Sequence, residues 1–320
     1  MSTNNLAQSI YQKAIECGYE NCGIIPITDL DGYKDNLNER IAKVPQSAQL
    51  YKNAEALTHI RERYPWAKSA VVCITWYGKY RYLESLQGKF AKSYFLSSES
   101  VPNCTAHQEK LRFPEWMTEQ GLRSEGGEKY GSMRNMPLRH AAVAAGLGTF
   151  RKNNFFYTEK GSYYVLEGYL IDEECTYKQT CNIKACAQNC TLCQDACKTH
   201  ALSAPYTMNP MACVSFWTTF GQGNIPPFLE ESQFENWICG CDACQDACPH
   251  NRHDWSNGED FPGLNEITEL LQPENILNAS DDVLCEKVIP KTVAHIPPEQ
   301  VNTLRTTAAR MLHNSVTESV

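Results

Sequence analysis

The apolar residues keep different rhythms in different parts of the chain, and each rhythm predicts a kind of structure. In LAQSIYQKAIECGY, Leu6, Ile10, Ala14 and Ile15 share one face at helical spacing and Gly18 follows, which predicts an amphipathic helix. NCGIIPI, SAVVCITWYG and SYYVLEGYLI are short apolar runs rich in β-branched and aromatic residues, the pattern of buried strands. Helices are expected between and after the first two, around 36–43, 53–63 and 107–120. PLRHAAVAAGLG predicts a helix that Pro137 opens in its first turn and Gly146 or Gly148 closes. Strands alternating with helices over residues 1–173 indicate a layered α/β or α+β domain. From Glu174 the periodicity fades into cysteines, Asn, Gln and short helical fragments. Residues 174–262 therefore read as a small domain folded around metal, which replaces part of an apolar core. Residues 263–320, with NEITELL and PPEQVNTLRTTAARMLHNSV, read as a short helical region. The class expected for the whole chain is α+β.

Composition changes this picture in one respect. A chain of 320 residues with 42% hydrophobic and 21% charged residues is ordinary for a globular protein, but 16 cysteines are not. Eleven of them fall between Cys175 and Cys248. The N-terminus has no apolar signal core and no run approaches a membrane span, so a cytoplasmic protein with no membrane partner is expected. Thiols are kept reduced there, and clustered cysteines then point to metal rather than disulfides. The net charge of −8 argues against a broad grip on nucleic acid. Locally the balance reverses: 134–152 holds Arg134, Arg139, Arg151 and Lys152 and no acid.

The cysteines follow C-x3-C-x2-C-x3-C at Cys186, Cys190, Cys193 and Cys197, then Cys213, then C-x2-C-x3-C at Cys241, Cys244 and Cys248. In two-cluster ferredoxins three closely spaced cysteines bind one cubane and the fourth crosses to the other. On that rule Cys186, Cys190, Cys193 and Cys248 hold one [4Fe–4S] cluster, and Cys197, Cys213, Cys241 and Cys244 hold the second. The alternative is two zinc sites, but zinc takes a pair of thiolates from each of two separated knuckles, which suits this run less well. Pro249 repeats the Cys-Pro ending of ferredoxin runs, whereas Lys198 follows Cys197. Cys175, Cys181 and Cys239 are spare in the same region, and either Cys181 or Cys239 could replace an assigned ligand. Cys17, Cys22, Cys73, Cys104 and Cys285 read as small packing residues.

MPLRHAAVAAGLGTFRKNNFFY, then SYYVLEGYLI, the cysteine run, APYTMNPMACVSFWTT, GNIPPFL and CGCDACQDACPHNR together resemble the epoxyqueuosine reductase family, of which reductive dehalogenases are distant relatives. The resemblance implies a nitroreductase-like, cobalamin-binding α/β domain followed by a ferredoxin-like double-cluster domain. The clusters would pass single electrons to a corrinoid, and the cofactor would carry the difficult chemistry. It also implies that Ala145, Gly146, Leu147 and Gly148 pass close to the corrin, with Ser215 and the backbone of Gly240 to Asp242 beside it. The plain alternative for AGLG is a helix C-cap.

This sequence departs from the family pattern where the proton donor is expected. The family carries an acid three positions before the proline that opens the helix, and here that position is Arg134. Arginine stays charged and cannot give up a proton near neutrality, though it can hold an anionic group. Tyr130, one helical turn earlier, is then the candidate proton donor, with Tyr157 as another. The C-x3-C at Cys186 and Cys190 replaces the family's C-x2-C, and the family's helical extension for tRNA is reduced to a short region. These differences favour a cobalamin-dependent reductase of an unidentified small-molecule substrate. Its electrons would come from a low-potential donor such as ferredoxin or flavodoxin, and tRNA is not expected as a partner. Genuine epoxyqueuosine reduction, an electron-transfer or corrinoid-reducing protein without a substrate pocket, and a cluster protein with flavin or no second cofactor are the alternatives.

Overall fold

The computed structural model of the protein describes residues 3–96, 104–127, 135–292 and 296–317. The chain forms two compact units, one of Met1–Trp76 with Thr105–Gln188, the other of Tyr77–Cys104 with Asn189–Val320. This differs from the expected division at 1–173, 174–262 and 263–320.

The first unit contains α1 (Thr3–Glu16), β1 (Asn21–Pro26), α2 (Tyr33–Lys43), β2 (Ser69–Trp76), α3 (Thr105–Glu119), β3 (Ser124–Gly126), α4 (Leu138–Ala144), β4 (Thr149–Phe150), β5 (Phe156–Tyr157) and β6 (Tyr164–Ile171). Its main sheet has the order β1-β2-β6-β3, and every neighbouring pair is antiparallel. Asn21 pairs with Ile74, and Ser69 with Ile171. The three apolar runs are β1, β2 and β6, and they are continuous because both faces of the sheet are covered. Ala70, Val72 and Ile74 face one core with Ile25, Leu170 and, from α4, Ala141 and Ala142. Val71 and Cys73 face the other with Ile24, Ile171, Ala7, Ile10 and Ala14 of α1, and Phe113 and Met117 of α3. The edge strand β3 is three residues long and has too little pattern to be read from sequence. The helix expected at 53–63 is instead a 3-10 turn at Lys52–Thr58 and a single turn at Ile60–Arg63. No residue of 52–58 is buried, so no apolar face holds a longer helix in place.

The second unit contains the short helices α5 (Leu192–Asp195), α6 (Val214–Trp217) and α7 (Ala243–Asp246) and the longer α8 (Asn302–Thr317). Residues 77–104 join it through backbone pairing: Ala91 N donates to Cys239 O at 2.8 Å, Ile238 N to Lys89 O at 2.7 Å, and Tyr82 N to Trp255 O at 2.7 Å. Tyr80 and Phe95 add ring contacts with Phe261. α8 buries Leu304, Thr307 and Ala308, and its Arg310 Nη2 donates to Trp237 O at 2.6 Å with the guanidinium over the Phe234 ring. The C-terminal helical region is thus part of the same core as 189–262.

Candidate metal centre

Four of the cysteines in the second unit share one electrostatic environment. Cys213 lies at the N-cap of α6, where the backbone N–H groups of Ser215 and Phe216 favour its thiolate. Cys241 has the N–H of Ala243 beside it, and Cys244 lies in α7. Burial pushes all three thiols up, those of Cys241 and Cys244 strongly. Each is raised further by its neighbours: Cys197 acts on all three, Cys213 on Cys241 and Cys244, and Cys241 on Cys244. Deprotonating thiols that lie this close together and this deeply buried needs positive charge beside them. Iron ions would supply that positive charge and hold the thiols deprotonated, so the donor set fits a cubane. Among the described residues no group of three or more His, Cys, Asp or Glu is placed to hold one metal ion. A cubane asks for a wider set, because each thiolate binds a different iron.

Cys190, Cys193 and Cys248 also belong to the second unit, whereas Cys186 lies three residues before its start, in the first. Within the first unit Cys186 is gripped from β4–β5. Arg151 Nη1 donates to its Sγ at 3.5 Å and Nη2 to Lys184 O at 2.6 Å, while Lys152 Nζ donates to the carbonyls of Ala187 and Gln188 at 2.8 Å each. Half of the acid-free basic stretch read from the sequence is therefore buried and holds the approach to the cysteine run. All sixteen cysteines are free thiols. The spare Cys239 is fully buried and has Asp242, Tyr82 and Tyr94 as its electrostatic neighbours rather than the four coupled thiols. Cys175 is buried beside Ser69, and Cys181 is half-buried.

A buried ion-pair network adjoins the second cysteine block, and the sequence reading missed it. Lys92, 3% exposed, places its ammonium 3.3 Å from Asp242 and 2.9 Å from both oxygens of Asp246. Its backbone N–H donates to Asp242 at 2.8 Å, and the rings of Tyr82 and Trp255 lie beside the charge. Burial pushes the Asp242 carboxyl up and the Lys92 charge pulls it back. KFAKSYF gives no signal for this, because the partners lie 150 and 154 residues away.

The residues expected beside a corrin are divided between the units: 145–148 lie in the first, Ser215, Gly240 and Asp242 in the second. Gly146 is a left-handed cap (φ +74°) closing α4, with its N–H on Val143 O and that of Leu147 on Ala142 O. A Cβ on Gly146 would strike the Gln179 carbonyl, one on Gly148 the Phe156 ring, and one on Gly240 the Tyr94 ring. Ala145 and Leu147 are buried in the first core. Asp242 is held by Lys92, and Ser215 Oγ lies 3.4 Å from the Tyr94 hydroxyl. Each of these contacts lies within one unit and gives its residue a structural role there, and no step is derived through a corrin. Tyr157 is fully buried, with its hydroxyl accepting from Asn153 Nδ2 at 2.9 Å. Tyr130 and Arg134 lie outside the described residues.

Residues 185–251 match the family model described as a 4Fe-4S double cluster binding domain. The epoxyqueuosine reductase of Cellulophaga algicola is 34% identical over 131 residues, 41% of this chain and 41% of that one. The chain resembles the epoxyqueuosine reductases. The likeness reaches the whole fold: a solved selenomethionine-labelled epoxyqueuosine reductase superposes with a TM-score of 0.75 at 21% identity, covering 98% of this chain and 82% of that one. Another, solved with an epoxyqueuosine-modified tRNA-Tyr stem loop, gives 0.70 at 20% identity with the same coverage. The matched stretches of the first curated relatives are short, about two fifths of their length. The mixed helix-and-sheet fold is therefore shared along nearly the full chain, while strong sequence likeness is local. Among the described residues no helix is long and apolar enough to cross a membrane.

Proposed function

We propose that the protein is an iron–sulfur oxidoreductase that reduces epoxyqueuosine in tRNA. The observation that carries this reading is the convergence of Cys197, Cys213, Cys241 and Cys244 inside a double-cluster region, in a chain whose relatives are epoxyqueuosine reductases. These four cysteines hold one [4Fe–4S] cluster, and Cys186, Cys190, Cys193 and Cys248 hold the other. The clusters supply one-electron transfer between a low-potential donor, such as a ferredoxin or flavodoxin, and the substrate site. Loss of an epoxide oxygen as water takes two electrons and two protons, so paired one-electron centres suit it. Cobalamin, and a nitroreductase-like reading of the first unit, enter only through the family resemblance. The expectation against tRNA, drawn from net charge and the short C-terminal region, is corrected here: net charge alone does not exclude a local phosphate-binding face, and a neighbour of the same fold was solved with a tRNA stem loop.

One observation favours a second reading, a reductase of another, anionic substrate: Arg134 stands where the resembled family carries its acid. One experiment separates the two. The protein is purified without oxygen, its iron counted, and its turnover measured with reductant on an epoxyqueuosine-containing stem loop, with and without cobalamin. About eight irons per chain and conversion of the stem loop support the proposal. Full iron with no conversion under either condition overturns the substrate and leaves the second reading.

A further inference from the structure

The acid-free basic stretch contains a buried cation that the proposed reaction does not use. Arg151 is 3% exposed. Among the described residues it has no carboxylate partner, and its Nε has no hydrogen-bond acceptor. Its contacts are the Cys186 sulfur at 3.5 Å, the Lys184 carbonyl at 2.6 Å and the face of Tyr157, 5.3 Å from the guanidinium carbon. A buried guanidinium without a counterion is strongly unfavourable. Among the described residues that contact it, the Cys186 sulfur is the group that cluster ligation would hold as an anion.

We propose that Arg151 is a positioning residue that raises the reduction potential of the cluster ligated by Cys186. The inference rests on the ligand assignment above. When that cluster takes one electron from a low-potential donor its net charge becomes more negative, and no proton or covalent bond is exchanged with Arg151. A fixed positive charge and an N–H donor on a ligand sulfur stabilise the reduced state more than the oxidised one, which moves the potential upward. The Lys184 contact and the Tyr157 ring hold the guanidinium in place, so both arms of the fork act on the same short loop. Arg151 thereby makes this cluster easier to reduce than its thiolate set alone would.

The test is a mediator-poised EPR titration of the holoprotein, comparing wild type with Arg151→Met, Arg151→Gln and Arg151→Lys, each with its iron counted. The expected result for the Met and Gln forms is about a tenfold fall in the reduced-to-oxidised ratio of one cluster at fixed potential, a shift of about 59 mV downward. The Lys form should fall between them and wild type, and the second cluster should not move. Unchanged potentials in variants with full iron overturn the proposal. So does loss of the cluster from all three, since Arg151 would then serve retention alone. Cys186→Ser separates this failure from that of the ligand assignment: undiminished iron in it removes Cys186 from the ligand set.

Discussion

At the scale of single residues, the ion pair of Lys92 with Asp242 and Asp246 carries the sharpest consequence. Lys92→Met leaves the Asp242 carboxylate buried with its partner gone, which should destabilise the fold by about 3–5 kcal/mol. Anaerobic urea unfolding measures this, and Asp242→Asn in the same chain should recover part of the loss. An undisturbed midpoint in Lys92→Met would mean that water reaches the pair. Cys175 makes a pH-dependent contribution of the opposite kind. Burial pushes its thiol up to about 11 from an ordinary 9.0, so the folded state holds the proton more tightly than the unfolded one. Its contribution is therefore present below pH 9 and lost as pH rises through about 11. The difference in stability between wild type and Cys175→Ala should shrink across that window, and a constant difference would remove Cys175 as the cause. Sequence read Cys175 only as a spare cysteine outside the two ligand sets and did not single out Lys92, because a buried lysine is visible only once distant carboxylates have been brought to it.

At the scale of elements, β1, β2 and β6 were legible because a sheet covered on both faces needs unbroken apolar runs. α4 was legible from Pro137 and the glycines after it, and the structure selects Gly146 as its cap. The edge strand β3 and the irregular turns of 52–63 were not legible, since their geometry comes from neighbours rather than from a pattern of their own. The AGLG turn, read as a cofactor contact or a helix cap, has the geometry of a cap at Gly146. Gly146→Ala tests the structural one: a left-handed backbone and the Gln179 carbonyl together should cost about 1–3 kcal/mol. Gly32→Ala is the control, because Gly32 has φ −68° and open space around its missing Cβ, and it should be neutral or slightly stabilising. Equal stability of both variants would show that the turn tolerates a side chain.

At the scale of the whole molecule, the cysteine spacing was readable and the division of the chain was not. Residues 77–104 look like a continuation of the first unit in sequence. They join the second because the Ala91–Cys239 and Tyr82–Trp255 backbone bonds pair them with its far end. The two proposed ligand sets differ in the same respect: Cys186 belongs to the first unit and Cys190 to the second, while Cys197, Cys213, Cys241 and Cys244 all belong to the second. Loss of the second set should therefore be the cleaner lesion. Cys213→Ala removes one of four coupled thiols at the N-cap of a short helix and keeps its backbone N–H groups in place. Iron should fall from about eight to about four per chain, with one EPR signal lost and the other retained. Retention of about eight irons would remove Cys213 from the ligand set and bring Cys239 back as its replacement. Loss of all iron would mean that the two clusters assemble as one cooperative unit, with the second set forming the nucleus.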